Sequence, residues 1–309
     1  MKLLSKILII LSIMANACAS PEAQTMDSAA SGNESESKNA LVIQADFGGL
    51  AMSGVAYTVS KDLDFFSLPQ LIPLYDIRAA SNGLAYNSAT WPSGTVFVSV
   101  VDPGVGTARK SVVLKTKNGQ YFVSPDNGSL SGPAEKYGIE AVREIDETVN
   151  RREGTEWSHT FHGRDVYTYT GARLAAGVIS YEEVGPLLEA KVILLEEPVA
   201  TLENDVLKGV VTGGIGRLGN VELSIDRHLF SQINASYGDI FSITYKKNGK
   251  VIWQGSIPYT KSFGDVAVGE PLLFVNSGGY MSTAINQGHF ASTYGVEVGN
   301  DWTVELKKE

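Results

Sequence analysis

The chain has 309 residues, is 43% hydrophobic and 19% charged, carries 34 acidic against 25 basic side chains and contains one cysteine. That length and apolar content suit about two domains of roughly 100 to 200 residues each and exclude disorder for the bulk of the chain. The acidic balance, with no Lys/Arg stripe interleaved with aromatics, argues against a nucleic-acid partner.

Residues 1–18 read as an export signal. Lys2 and Lys6 form a basic start, Ile7 to Met14 an apolar run and Ala15-Asn16-Ala17 a small-residue cleavage site. The run is too short to span a bilayer, which takes about 20 residues. Cys18 follows the triplet directly, where lipoprotein signals place the residue to be lipidated, so the chain is expected to be an exported periplasmic or cell-envelope lipoprotein held to a membrane through Cys18. Plain secretion with an incidental cysteine is the alternative. With Cys18 consumed, the folded part has no thiol for a disulfide, a nucleophile or a metal. Residues 19–39 are polar, without an apolar period, and read as a flexible tether reaching about 25 Å.

Ala40 to Gln44 is predicted to be a buried strand that empties into Asp46-Phe47-Gly48. Thr95 to Val101 is a second such strand, ended by Asp102-Pro103-Gly104. Ser111 to Lys115 and Tyr121 to Val123 form a hairpin around Asn118-Gly119, and Ser124 to Gly128 is another exit from a strand. Asp165 to Ala176 has helical spacing, with His162 at its N-terminal approach. After Pro186 the pattern turns to short strands at Val192–Leu195, Leu207–Val211, Val221–Ile225, Ile240–Tyr245, Val251–Trp253 and Leu272–Val275, indicating a compact β-domain. The predicted organisation is an α/β domain with a mostly parallel central sheet over residues 40–190 and a smaller, all-β barrel-like domain over 200–309. The boundary falls near residues 188–205.

Asp46, Asp102 and Asp126 each follow an apolar strand of the first domain. Ligands bind beyond strand ends in open α/β sheets, so three such acids suggest one site, although Asp also ends strands for purely structural reasons. Arg109 and His162 complete a carboxylate, a fixed cation and an imidazole, the minimum kit for activating a water molecule. Gly104-Val105-Gly106 matches neither a P-loop nor a dinucleotide loop. His159, His162 and Asp165 stand at a spacing that could supply metal ligands, but no second cluster supports a site and none is expected. Gly-x-Ser-x-Gly is absent, and Ser53 and Ser277, near glycines and with no evident base, read first as structural. Ser277 joins Asp126 and Asn127 as a candidate substrate contact instead.

Three motifs, Asp102 to Arg109, Pro125-Asp126-Asn127-Gly128 and Thr160-Phe161-His162-Gly163-Arg164-Asp165, occur in that order. Together with Asp46-Phe47-Gly48, Gly219-Asn220 and Asn286-Gln287-Gly288, they resemble the S-adenosylmethionine hydroxide adenosyltransferase family, related to fluorinase and chlorinase. The resemblance covers about Leu41 to Leu306. It implies an α/β domain joined to a β-barrel-like domain, a homotrimer with active sites at subunit interfaces, and no cofactor. The implied reaction is attack of water-derived hydroxide on the ribose C5′ of S-adenosylmethionine, giving adenosine and L-methionine. In the matching positions Asp102, Arg109 and His162 activate the water, Asp46 binds the ribose diol and Asn220 contacts the adenine edge. Halogenating relatives replace the acid that Asp102 supplies, so hydrolysis is the expected outcome.

The chain departs from the family pattern where substrate is held. Gly48 to Gly54 is short and carries no acid. Ile215-Gly216 and then Leu218 stand where the family has an Asp and, just before Gly-Asn, an aromatic. This implies a weaker grip on the methionine ammonium and the adenine, and leaves S-adenosylmethionine or a related adenosyl compound as the substrate. A non-catalytic nucleoside-binding or assembly lipoprotein that keeps the fold is the alternative function.

Overall fold

In the computed structural model the described residues are 39–67, 72–196, 198–214 and 216–309. The export signal, Cys18, the tether up to residue 38 and Ile215 lie outside them. Leu41-Val42-Ile43-Gln44-Ala45 is buried at every position, as a strand covered on both faces must be. It forms β1 (Leu41–Ala45). Then come α1 (Leu50–Val59), β2 (Phe65–Ser67), α2 (Ile77–Asn87), β3 (Val96–Val100), β4 (Ser111–Thr116), β5 (Tyr121–Pro125), α3 (Ser131–Tyr137), β6 (Ile139–Glu144) and α4 (Thr168–Ala175).

The first sheet has the order β2-β1-β3-β5-β4-β6. Pairs among β2, β1, β3 and β5 are parallel, and β4 runs antiparallel to both β5 and β6. Side-chain alternation splits β1 between two cores. Leu41, Ile43 and Ala45 pack with Met52 and Ala56 of α1 and Ala172 of α4, while Val42 packs with Leu84 of α2 and Ala134 of α3. The result is a sheet with helices on both faces, the predicted class. Gln44, a polar group inside this core, is satisfied by donating to the Ala80 carbonyl and to Ser99 Oγ, both at 2.9 Å.

The second sheet begins with β7 (Thr201–Glu203), β8 (Val206–Gly213) and β9 (Val221–Asp226), followed by α5 (Arg227–Ser231). It continues through β10 (Ile240–Lys247), β11 (Lys250–Pro258), β12 (Pro271–Val275), β13 (Tyr280–Ile285), α6 (Phe290–Tyr294) and β14 (Gly299–Lys308). Here β9 and β10 alternate buried and half-buried residues, the pattern of strands with one wet face. Every ladder is antiparallel, in the order β11-β10-β14-β8-β9-β13-β12. A bridge from Tyr259 to Leu273 brings the two ends of that order together, so the sheet nearly closes into a barrel.

Two local expectations are corrected. Val192–Leu195 is not a strand: its Ile193 and Leu195 N–H groups donate to Asp126 Oδ1 and Ser131 Oγ, each at 2.8 Å, so side chains take the place of a ladder. The helix predicted from Asp165 begins instead as a π-helical turn, Gly163–Tyr167, before passing into α4. Thr168 Oγ1 closes that turn on the Gly163 carbonyl at 2.7 Å. Tight packing sets the position of the whole segment. A Cβ on Gly171 would lie 2.5 Å from Val98 Cγ2, and one on Gly163 would lie 2.9 Å from Val100 Cγ1. Such wide turns recur at functional sites, and this one follows His162 directly.

Candidate active site

β1 and β3 are parallel neighbours, so the residues after their C-terminal ends emerge side by side. Asp46 and Asp102 therefore line one cavity of about 180 Å³, together with Phe47, Tyr75, Phe161 and His162. Asp46 is buried and accepts a 2.7 Å hydrogen bond from the Tyr75 N–H. Phe47 and Phe161 meet edge to face, with ring centroids 5.6 Å apart, and form an apolar wall beside it.

Asp102 enters a turn in which Thr107 Oγ1 donates to the Gly104 carbonyl at 2.7 Å and Gly106 adopts φ +79°, a conformation suited to glycine. The turn brings Arg109 back onto Asp102. Arg109 Nε donates to Oδ1 at 2.9 Å and Nη2 to Oδ2 at 2.5 Å, a two-pronged pair in which both partners are nearly buried. The same Nη2 lies 3.1 Å from His162 Nδ1, and Nη1 donates to Ser111 Oγ at 3.2 Å. Three residues spread over sixty positions of sequence are thus one bonded group.

His162 has a second cationic neighbour that the sequence did not disclose. Arg151 Nη2 lies 3.3 Å from His162 Nε2, and the same guanidinium is paired with Glu147. Burial holds the His162 imidazole below its ordinary value. Glu147 pulls it back up, Arg109 and Arg151 press it down, and Asp102 again favours the cation. That lowering favours the neutral ring, whose two nitrogens both face guanidinium groups. Tyr167, wholly buried, sits edge-on to His162 and under the Arg109 guanidinium, and burial raises its phenol well above the usual range.

The other site candidates separate. Asp126 lines neither this cavity nor the one described next. Its Oδ1 takes the Ile193 N–H, and burial pushes its carboxyl up, an effect that hydrogen bond opposes. Asn127 Nδ2 donates to the Val101 carbonyl at 2.9 Å, bracing the residue before Asp102, while its Oδ1 accepts from Ser129. Asn220 and Ser277 line a second cavity of about 380 Å³ in the β-domain, with Glu222, Phe263, Phe274, Asn276 and Ser282. Ser277 Oγ is 3.0 Å from Tyr86 OH. Leu218 is exposed. The two cavities share no lining residue.

Glu222 is the residue of that second cavity that sequence reading missed. On β9 it faces away from the core strip of Val221, Leu223 and Ile225, and its Oε2 accepts from Asn276 Nδ2 at 2.6 Å. Burial pushes its carboxyl up, against the Asn276 and Thr212 hydrogen bonds. The strand alternation around residue 222 was the available signal. Asp165, the third member of the metal-ligand spacing, is wholly buried and tied to Arg164 by two 2.7 Å contacts.

Residues 41–185 match the SAM hydroxide adenosyltransferase N-terminal domain, and residues 215–303 match the C-terminal domain of the same family. The chain belongs to the SAM hydroxide adenosyltransferase family. It is 33% identical to an (R)-S-adenosyl-L-methionine hydrolase of Salinispora tropica over 81% of this chain and 89% of that protein. It is 26% identical to a fluorinase of Actinopolyspora mzabensis, covering 80% of this chain and 88% of the relative. Among solved structures, an uncharacterised conserved protein from Thermotoga maritima superposes with a TM-score of 0.78 at 31% identity, covering 86% of this chain and 99% of that one. Both domains of the family are therefore present, in the order the motifs require.

Proposed function

We propose that the protein hydrolyses S-adenosylmethionine, or a closely related adenosyl compound, to adenosine and L-methionine. The observation that carries this reading is the bonded Asp102–Arg109–His162 group, of which Asp102 and His162 line one cavity with Asp46. Membership of the family and the hydrolase relatives at about a third identity support it.

The residues account for the demands of the step. A water oxygen bonds to C5′, the C5′–S bond breaks with its electron pair going to sulfur, and the sulfonium leaves as a neutral thioether. No general acid is needed, so catalysis rests on the nucleophile. A guanidinium about 4 Å from a developing hydroxide contributes about 4 kcal/mol at an effective dielectric of about 20, or about three pKa units. Water starts near 15.7, so hydroxide is not preformed, and the proton leaves during attack to a free lone pair of Asp102, since both ring nitrogens of His162 face guanidinium groups. Asp46 presents two carboxylate oxygens to a vicinal diol.

Asn220 and Ser277 hold the other end of the substrate in this reading, yet they line a separate cavity. A second copy placing its β-domain cavity over the first would complete the site, which favours the homotrimer implied by the family resemblance. Light scattering of the full-length chain tests that assembly. The leader-like residues 1–18 support an exported, cell-envelope protein lipidated at Cys18, and loss of membrane fractionation in Cys18→Ser tests the anchor. Incubating the full-length chain with S-adenosylmethionine and following adenosine and methionine by chromatography tests the reaction. Adenosine no higher than with Asp102→Ala overturns it for that substrate.

A further inference from the structure

Among the described residues Glu222 is the one acid or base lining the β-domain cavity, and the strands around it leave room over its carboxylate. Its cross-strand partners are Gly213 on β8 and Ser282 on β13, so neither neighbour projects a long side chain over it. Asn276 fixes the acid from one side. Its Nδ2 donates to Glu222 Oε2 at 2.6 Å and to Ser282 Oγ at 3.0 Å, while its Oδ1 accepts from the Gly278 and Tyr280 N–H groups. Both donors and both lone pairs of that amide are therefore spent, and it cannot turn to follow a ligand. Phe263 and Phe274, with ring centroids 5.0 Å apart, supply an apolar wall. We propose that Glu222 is the specificity residue for the amino-acid end of the substrate: its carboxylate receives the α-ammonium, so the protein acts on adenosyl sulfoniums that carry an amino group rather than on adenosyl compounds at large.

The chemistry of the carboxylate selects the ammonium over the base. Adenine is neutral, and its edge is matched by an amide that donates and accepts at once, as Asn220 in the same cavity can. A carboxylate withdrawn from water and bonded to a neutral amide retains a charge to be matched, and beside phenylalanine walls a cation matches it with little screening. Burial raises the Glu222 carboxyl, as expected of an acid with no fixed cation beside it, whereas Asp102 in the first cavity already holds Arg109. The sequence agrees. Ile215 stands where the family pattern has an acid, and Glu222 supplies one from β9, the strand into which the same segment leads.

This proposal rests on the adenosyl reading of the site, and its test is separate from turnover. Full-length protein is titrated by calorimetry with two thioethers. One is S-adenosylhomocysteine, which could leave C5′ only as a thiolate and so is not consumed; the other is its deamino counterpart, in which hydrogen replaces the α-ammonium. Wild-type protein should prefer the first by about ten- to a hundredfold, the range of one charge-assisted hydrogen bond. Glu222→Gln keeps the shape and an acceptor for Asn276. It should weaken S-adenosylhomocysteine by that factor without weakening the deamino compound, so the preference disappears. Glu222→Asp keeps the charge but draws it back by one methylene, and it should lose most of the preference too, whereas a field acting from a distance would survive that change. No preference in the wild type, a preference that outlasts either variant, or affinities that fall together for both compounds overturns the proposal. Wild-type protein that binds neither compound overturns the adenosyl reading as well. Binding that depends on Glu222, with no adenosine formed from S-adenosylmethionine, supports the proposal and overturns hydrolysis alone.

Discussion

Asp102 and Glu222 are both carboxylates largely withdrawn from water, one in each cavity, and they are handled in opposite ways. Asp102 is met by a guanidinium on both oxygens, within a cluster that also contains His162, Arg151 and Glu147. Glu222 is met by the side-chain amide of Asn276, and among the described residues no Lys, Arg or His lines its cavity. A buried ion pair has fixed geometry and a charge that is costly to disturb. A buried acid bonded to neutral groups retains its demand for a positive or proton-donating partner. The first cavity is thus finished before substrate arrives, whereas the second is completed by what enters it.

The largest expected effect comes from breaking the finished side. Arg109→Met leaves the Asp102 carboxylate buried without its partner and is expected to cost about 3–5 kcal/mol of stability by denaturant unfolding. Asp102→Asn keeps the shape and removes the anion, and adenosine formation should fall about 10²- to 10⁴-fold. If Asp102→Asn turned over at the wild-type rate, the first cavity would be a binding site and the contrast would collapse.

The framework beneath that side is next. Gly171 of α4 lies so close to Val98 that an added Cβ would sit 2.5 Å from Cγ2. Gly171→Ala should therefore lose about 1–3 kcal/mol through overpacking, although alanine is the better helix former. Because α4 continues the turn that follows His162, activity should fall by more than the folded fraction does. Thermal melts read alongside turnover separate the two losses.

Acid and base should then distinguish the two carboxylates. Burial raises the Glu222 carboxyl above its unfolded value of 4.5, so the folded protein binds a proton there more readily than the unfolded chain does. The cost of ionising Glu222 is fully present above the folded pKa and disappears as pH falls through it toward 4.5. Glu222→Gln removes that cost. Its stability gain over wild type should be larger at about pH 8 than at about pH 5, by roughly 1 kcal/mol in denaturant unfolding. A gain independent of pH would mean that Glu222 titrates alike in the folded and unfolded chain, and the second cavity would impose no cost on its charge.

The same division explains what could be read from sequence. The apolar runs that became β1 and β3 were legible because strands buried on both faces need every residue to be apolar or internally bonded. Asp102, Arg109 and His162 were legible because glycine-shaped turns and a compact motif surround them. Glu147 and Arg151 were not. They sit in a polar turn like many others, and their meaning comes from His162, which reaches them only through the fold. Val192–Leu195 failed for a related reason. Its apolar run is real, but its backbone is satisfied by Asp126 and Ser131, which turns a candidate ligand acid into a brace. Asn220 was placed in one site with Asp46 by resemblance and Ser277 was added as a candidate contact, and their lining a different cavity within one chain is a property of three-dimensional packing that no local pattern records.

The smallest effect tests the unfinished side at its rim. Ser277 Oγ touches Tyr86 OH, and that bond is exposed, so deleting it should change stability by no more than about 0.5 kcal/mol. Tyr86→Phe removes the same hydrogen bond while leaving the serine hydroxyl in the cavity. If Ser277 contacts substrate, Ser277→Ala should raise KM several-fold with kcat little changed, the mark of binding energy shared by ground and transition states. Tyr86→Phe should leave both constants alone. Equal effects from the two variants would show that the hydroxyl serves only to hold its loop to α2, and the second cavity would then have to find its substrate contacts at Asn220 and Glu222.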